Sequence, residues 1–158
     1  MQKSKDFSKF MQQYLAITTV GPSTLRNQGS KGVINVVQEY LAKIDLCDFN
    51  QKDESEFLSI LNRKTEELKE IIINIVDGDK GHKNKQPNRG QHWGAARKSL
   101  NLFLREIFLN KLLGQKIDIK EEWMEIPLDS FIAKALNKAS KEFYKKVINW
   151  PGLKRLDF

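Results

Sequence analysis

From Ala96 to Leu112 the apolar residues Ala96, Leu100, Phe103, Leu104, Ile107, Phe108 and Leu112 recur in steps of three and four. That is the period of one helix face, and a strand would scatter the same residues over both of its sides. The spacing predicts a helix running to about Leu113, with Gly114 as its stop. Lys98, Asn101 and Arg105 repeat at the same steps on a different face. Just ahead lies Gly90-Gln91-His92-Trp93-Gly94, whose two glycines permit positive φ or a close backbone approach. The stretch reads as a tight hairpin feeding the helix. Such a junction offers backbone N–H groups and a partial positive charge, which suit a phosphate. Gly90, Gln91, His92 and Gly94, with Arg89 and Arg97 beside them, are therefore candidate phosphate-binding residues, which on a nucleic acid would be its backbone contacts.

The rest of the chain also reads as helix. Residues 5–15 suggest a short amphipathic helix with Phe7, Phe10, Met11 and Tyr14 on its apolar side. Gly21-Pro22 and Gly29 punctuate a break, and Ser23 is placed to cap a brief helical turn. A second helix is expected from near Ser30 to Lys43, burying Val33, Val36, Val37, Tyr40, Leu41 and Ile44. A polar loop from Asp45 to Asp53 carries Asn50 and Asp53 as candidate caps. A long helix from about Glu54 to Val76 follows, its stripe marked by Phe57, Leu61, Leu68, Ile72 and Ile75. The β-branched run at 71–73 is compatible with a strand, but the spacing and length favour helix. After the helix that ends near Leu113, residues 115–125 form a connection. Shorter helices are expected over 130–137 and 140–148. No internal repeat or low-complexity block interrupts this order. The expected fold is a single all-α domain over residues 1–158.

Length and composition fit that expectation. A chain of 158 residues, 40% hydrophobic and 30% charged, has the make-up of a globular protein able to bury a core. No run of 18 apolar residues is present, and the N-terminus lacks the apolar stretch of a signal peptide, so no membrane partner is expected. The lone Cys47 has no partner for an internal disulfide and reads as a half-buried packing residue; a reducing, cytoplasmic setting is expected. The net charge of +7 is unevenly spread. Residues 80–98 hold Lys80, Lys83, Lys85, Arg89, Arg97 and Lys98 with no acid among them, and a second basic set lies near the C-terminus. Acidic residues gather at 53–70 and 118–125. Segregation of this kind marks one face for a polyanion, the plain alternative being an idle solvated surface.

The order glycine-flanked hairpin, Arg97-Lys98, small residue, Asn101, apolar run resembles the hairpin and second helix of the helix-hairpin-helix DNA glycosylases. Downstream, Ile126-Pro127-Leu128-Asp129-Ser130-Phe131-Ile132-Ala133 is similar to that family's apolar-Pro-x-Asp lead-in to a helix. Lys98 and Asp129 are 31 positions apart, a spacing that resembles the archaeal 8-oxoguanine glycosylase branch. One departure is that Gln91-His92-Trp93 stands where the family has Leu-Pro-Gly-Val-Gly. The resemblance implies an enzyme that flips a modified base from DNA and cleaves its N-glycosidic bond, with Asp129 as the catalytic carboxylate. It also implies Lys98 as the lyase amine in members that have one. In such relatives the hairpin carbonyls often hold a monovalent cation; no other cofactor and no metal is implied. Asn27 and Gln28 lie where the family often places a residue that fills the gap of the extruded base, and flipping costs a few kcal/mol that such a plug offsets. The chain is short for the family, which suits a trimmed pocket open to bulky bases such as hypermodified cytosines of phage DNA, and relatives serve in phage defence. The expected partner is DNA carrying a modified base, met by a monomer.

Each of these residues also has a plainer role. Asp129 reads equally as a helix N-cap, worth about 1 kcal/mol. Lys98 is a surface lysine, a phosphate contact or a nucleophile, and the last requires a neutral amine. Trp93 is a core anchor or a stacking plate, and Asn27 and Gln28 are turn formers or a plug. His82 and His92, with one cysteine in the whole chain, show no zinc-site spacing. The order His82, Asn84, Asn88, His92 has the residue types of an HNH nuclease, whose strands are absent from this stretch. The rival function is a non-catalytic DNA- or RNA-binding protein that uses the same hairpin and basic face.

Overall fold

The computed structural model describes residues 2–25, 32–78, 89–110, 118–125, 135 and 138–142. Four long helices carry the architecture: α1 (Gln2–Thr19), α2 (Val33–Lys43), α3 (Glu54–Gly78) and α4 (Arg89–Leu109). Short 3-10 helices occupy Leu46–Phe49 and Glu121–Trp123. Every regular element among the described residues is helical, so the all-α expectation holds for them.

The centre of the fold is α4, which packs against α1, α2 and α3. Its Ala95, Ala96, Leu100, Phe103, Leu104 and Ile107 are all buried. Full burial of each large side chain among them contributes roughly 1.5–3 kcal/mol. The same helix also takes His92, Arg97, Ser99 and Asn101 out of water. A helix enclosed on most sides keeps no single solvated face. Asn101, expected on a polar face with Arg105, therefore lies inside, while Arg105 stays exposed.

One expectation is corrected here. The hairpin read from Gly90 to Gly94 does not form: Arg89–Leu109 is one unbroken helix. Glycine permits a turn without demanding one, and two glycines cost a helix only about 1 kcal/mol each relative to alanine. Gly94 is buried, and packing of α4 against its three neighbours outweighs that penalty.

The other helices start and stop for identifiable reasons. Gly32, at φ 99°, forms the left-handed N-cap of α2, so this helix begins at Val33 rather than near Ser30. Asp53 Oδ1 accepts from the backbone N–H of Glu56 at 2.9 Å, and Glu56 Oε2 accepts from the N–H of Lys52 at 3.3 Å. This pair of bonds caps the start of α3. Asn50, expected as a second cap, instead accepts from the N–H of Asp118 at 2.8 Å and ties the later segment to this loop. The helices α1 and α2 close each other's ends. Gln12 on α1 donates to the carbonyls of Leu41 and Ile44 at 3.1 and 2.8 Å. Gln38 on α2 donates to those of Ile17 and Val20 at 3.2 and 2.6 Å. Both amides satisfy C-terminal carbonyls that have no partner within their own helix.

Two further expectations are reversed. The buried residues of α1 are Leu15 and Ala16, while Phe7, Phe10, Tyr14 and Ile17 are 50–60% exposed. Of the row expected to face the core, Phe7, Phe10 and Tyr14 thus face solvent, and only Met11 packs against the core, partly buried. Cys47 is exposed, because its 3-10 turn directs Leu46 and Phe49 inward instead.

Candidate functional site

Arg97 is the residue around which polar groups converge. It lies midway along α4, and its side chain is only 9% exposed. Its Nε and Nη2 donate to the two oxygens of Glu125 at 2.8 and 2.6 Å, a two-pronged pairing of planar groups. Its Nη1 donates to Asn62 Oδ1 at 2.8 Å and Thr65 Oγ1 at 3.1 Å, both on α3. Thr65 passes its own proton to the carbonyl of Leu61 at 2.7 Å. Asn101, one turn along α4 from Arg97, donates to Glu125 Oε2 at 2.8 Å. The guanidinium carbon sits 5.4 Å from the centre of the Trp93 ring, so the tryptophan covers the cation.

This arrangement balances a buried charge. An isolated guanidinium in the interior would be costly, and a bonded carboxylate with good geometry offsets that cost. The carboxyl of Glu125 is held below its ordinary range, first by the hydrogen bond from Arg97 and then by that from Asn101, against the opposing effect of burial. Glu125 itself enters from the segment after the Glu121–Trp123 turn. Trp123 anchors that turn, buried in the core with its ring centre 5.9 Å from that of Phe57 and 4.8 Å from Lys120 Nζ.

The sequence-predicted residues fall into three groups. Arg97, a candidate DNA contact, is spent inside the network, with four N–H groups engaged. Arg89, Gly90 and Gln91 form the start of α4, and His92 and Gly94 are buried within it. Lys98 follows Arg97 on the same helix and is half-buried. Asn27, Gln28 and Asp129 lie outside the described residues. The hairpin carbonyls that would hold a monovalent cation are helix carbonyls here, turned along the axis of α4; they do not form the loop such an ion needs. Among the described residues no group of three or more His, Cys, Asp or Glu is placed to hold a metal. An open cavity of 530 Å³ beside Asn62 is lined by Glu54, Ser55, Leu58, Ser59 and Asn62. It presents a carboxylate and no cation, so it is no phosphate groove.

The sequence reading missed Glu125, Asn62 and Thr65. Glu125 is visible as an acid just ahead of Ile126-Pro127, but it stands in an acidic cluster from Asp118 that reads as solvated surface. Asn62 and Thr65 are ordinary residues on a helix whose apolar stripe draws the attention. No protein-family model, curated protein or solved structure matches this chain. Among the described residues no helix is long and apolar enough to cross a membrane.

Proposed function

We propose that this chain is a DNA glycosylase that flips a modified base and cleaves its N-glycosidic bond, with Asp129 as the catalytic carboxylate and Lys98 as the lyase amine. The single observation that supports this reading is the ion pair between Arg97 and Glu125 at 2.6 Å. Arg97 precedes Lys98 directly, and Glu125 stands four residues ahead of Asp129. The pair thus joins the helix that carries one of the resembling stretches to the residue directly ahead of the other in sequence. The sequence adds the basic residues Lys80, Lys83, Lys85, Arg89 and Lys98, which suit a phosphate backbone.

In this reaction the carboxylate of Asp129 offsets the positive charge that builds at the sugar C1′ as the base departs. The attacking group is water, or the neutral amine of Lys98. As the new bond to C1′ forms, the C1′–N bond breaks and the base leaves with its electron pair, taking up a proton. With the amine, loss of a proton and opening of the sugar give a Schiff base, which borohydride reduces to a stable adduct.

The test is a panel of duplexes bearing oxidised, alkylated, deaminated and glucosylated bases, with phage genomic DNA alongside, scored for alkali-labile breaks. Breaks are expected on at least one substrate, and Asp129→Asn is expected to abolish them while binding persists. Borohydride trapping that survives unchanged in Lys98→Gln would remove Lys98 from the mechanism. A non-catalytic nucleic-acid binder is the second reading. It is favoured by the unbroken helix at 89–94, which withdraws the hairpin that a glycosylase of this family uses to dock on DNA. Binding without breaks on every substrate would select it.

A further inference from the structure

We propose that the outer row of α1 is a pairing surface for a second copy of this chain, docked antiparallel about a two-fold axis. This surface is independent of what the chain does to DNA.

Phe7, Phe10, Tyr14 and Ile17 are exposed, and their steps of three, four and three set them in one line along α1. The rings of Phe7 and Phe10 lie 6.5 Å apart, centre to centre. Isolated apolar residues on a surface need no explanation, but a contiguous row does. The spacing is that of a coiled-coil seam, by which one helix packs along another. It also reads the same from either end. In an antiparallel pair Phe7 therefore meets the partner's Ile17 and Phe10 meets the partner's Tyr14, each contact made twice by the two-fold symmetry. Ile17 borders an open cavity of 890 Å³ between α1 and α2, which leaves room for the partner's Phe7 ring.

Charge and area point to the same occupant. From Phe10 to Thr19 the sequence holds no Asp, Glu, Lys or Arg. Two copies thus meet along this stretch without like charges, although each carries +7. A helix lying on anionic lipid would need cations along its rim there. The antiparallel sense also sets each N-terminal end, with Lys3, Lys5 and Lys9 against one Asp6, beside the C-terminus of the other helix, where the macrodipole favours cations. Each half-exposed side chain offers about 100 Å², so two copies cover roughly 800 Å² of apolar surface. With the flanks this reaches the lower edge of specific interfaces, about 1,000–1,200 Å² in total. Such a pair is weak, with a Kd of about 10 µM. The monomer expected from the sequence is then the dilute form.

Sedimentation of the full chain, freed of nucleic acid, from about 1 to about 200 µM tests this. Monomer is expected at the dilute end and dimer at the concentrated end. Raising salt from about 50 to about 500 mM is expected to strengthen the dimer by screening the two like-charged copies; a pair bridged by nucleic acid would weaken instead. Phe10→Ser is expected to weaken dimerisation about tenfold or more, since symmetry removes the ring twice. The Tm of the dilute chain should move no more than for a surface substitution. Phe10→Lys and Tyr14→Glu should each be monomeric alone and pair when mixed, because position 10 of one copy faces position 14 of the other. A chain that stays monomeric throughout overturns the proposal, as does a dimer indifferent to Phe10→Ser or weakened by salt. Mixed variants that remain apart overturn the antiparallel register. Binding of the dilute chain to anionic phospholipid vesicles, lost in Phe10→Ser, overturns the second copy in favour of lipid.

Discussion

The helices α1 and α4 break the usual division of residues in opposite directions. On α1 the large apolar side chains Phe7, Phe10, Tyr14 and Ile17 are turned to solvent, and the small Ala16 and the flank of Leu15 face the core. On α4 a histidine, an arginine, a serine and an asparagine are buried. The difference follows from position. A peripheral helix needs only a narrow inward stripe, and single exposed apolar residues are tolerated on protein surfaces. A central helix touched by three others has little outward face to give its polar residues, so those that fall inside must be satisfied there. Arg97, Ser99 and Asn101 are so satisfied, Ser99 by donating to the carbonyl of Ala95 at 2.9 Å.

The largest test of this contrast is Arg97→Met. It leaves the half-buried Glu125 without its cation and with only the bond from Asn101, and breaking a pair of this kind costs about 3 kcal/mol. For a chain of this size that lowers Tm by roughly 10 °C, read by thermal denaturation. A loss below that of a surface substitution would show that the network is not a unit.

Acid provides the next test. The folded carboxyl of Glu125 lies below its ordinary value of 4.5, chiefly through Arg97. The stability it contributes is therefore complete above the unfolded value and is lost as pH falls through the folded one. Denaturant titrations of wild type and Glu125→Gln should differ most near neutrality and converge as pH falls from 4.5 through the lower folded value. Equal spacing of the two curves at every pH would contradict the pairing.

A smaller effect is expected where α1 is held to α2. Gln12→Ala and Gln38→Ala each remove two donors from helix-end carbonyls, at about 1 kcal/mol apiece in denaturant midpoints. The smallest belongs to the outer row. Phe10 is 60% exposed, so Phe10→Ser should change stability by no more than about 0.5 kcal/mol. If Phe10→Ser costs as much as Arg97→Met, the outer row of α1 is not free, and the contrast between the helices falls.

The helical class was legible from residue order because it depends on local spacing. The apolar steps of α3 and α4 and the capping pair Asp53 and Glu56 each act within a few positions along the chain. The two glycines near the start of α4 show where such local reading stops. Their backbone freedom is compatible with a turn or a helix, and the choice fell to the packing of α4 among its neighbours. The face of α1 was misread for the same reason, since a row of large apolar residues does not state which side another helix will cover.

Of the candidate site, the basic segment and the Pro127–Asp129 motif were apparent in the residues alone. The partnership of Arg97 with Glu125 was not, because 28 positions separate the two and nothing local marks them as a pair. Sequence settled the helical periodicities, the Asp53 cap and the charge distribution, all of which are sums over near neighbours. Only the tertiary structure decided which charges are buried together, because low dielectric and shared desolvation act between elements that the fold alone brings into contact.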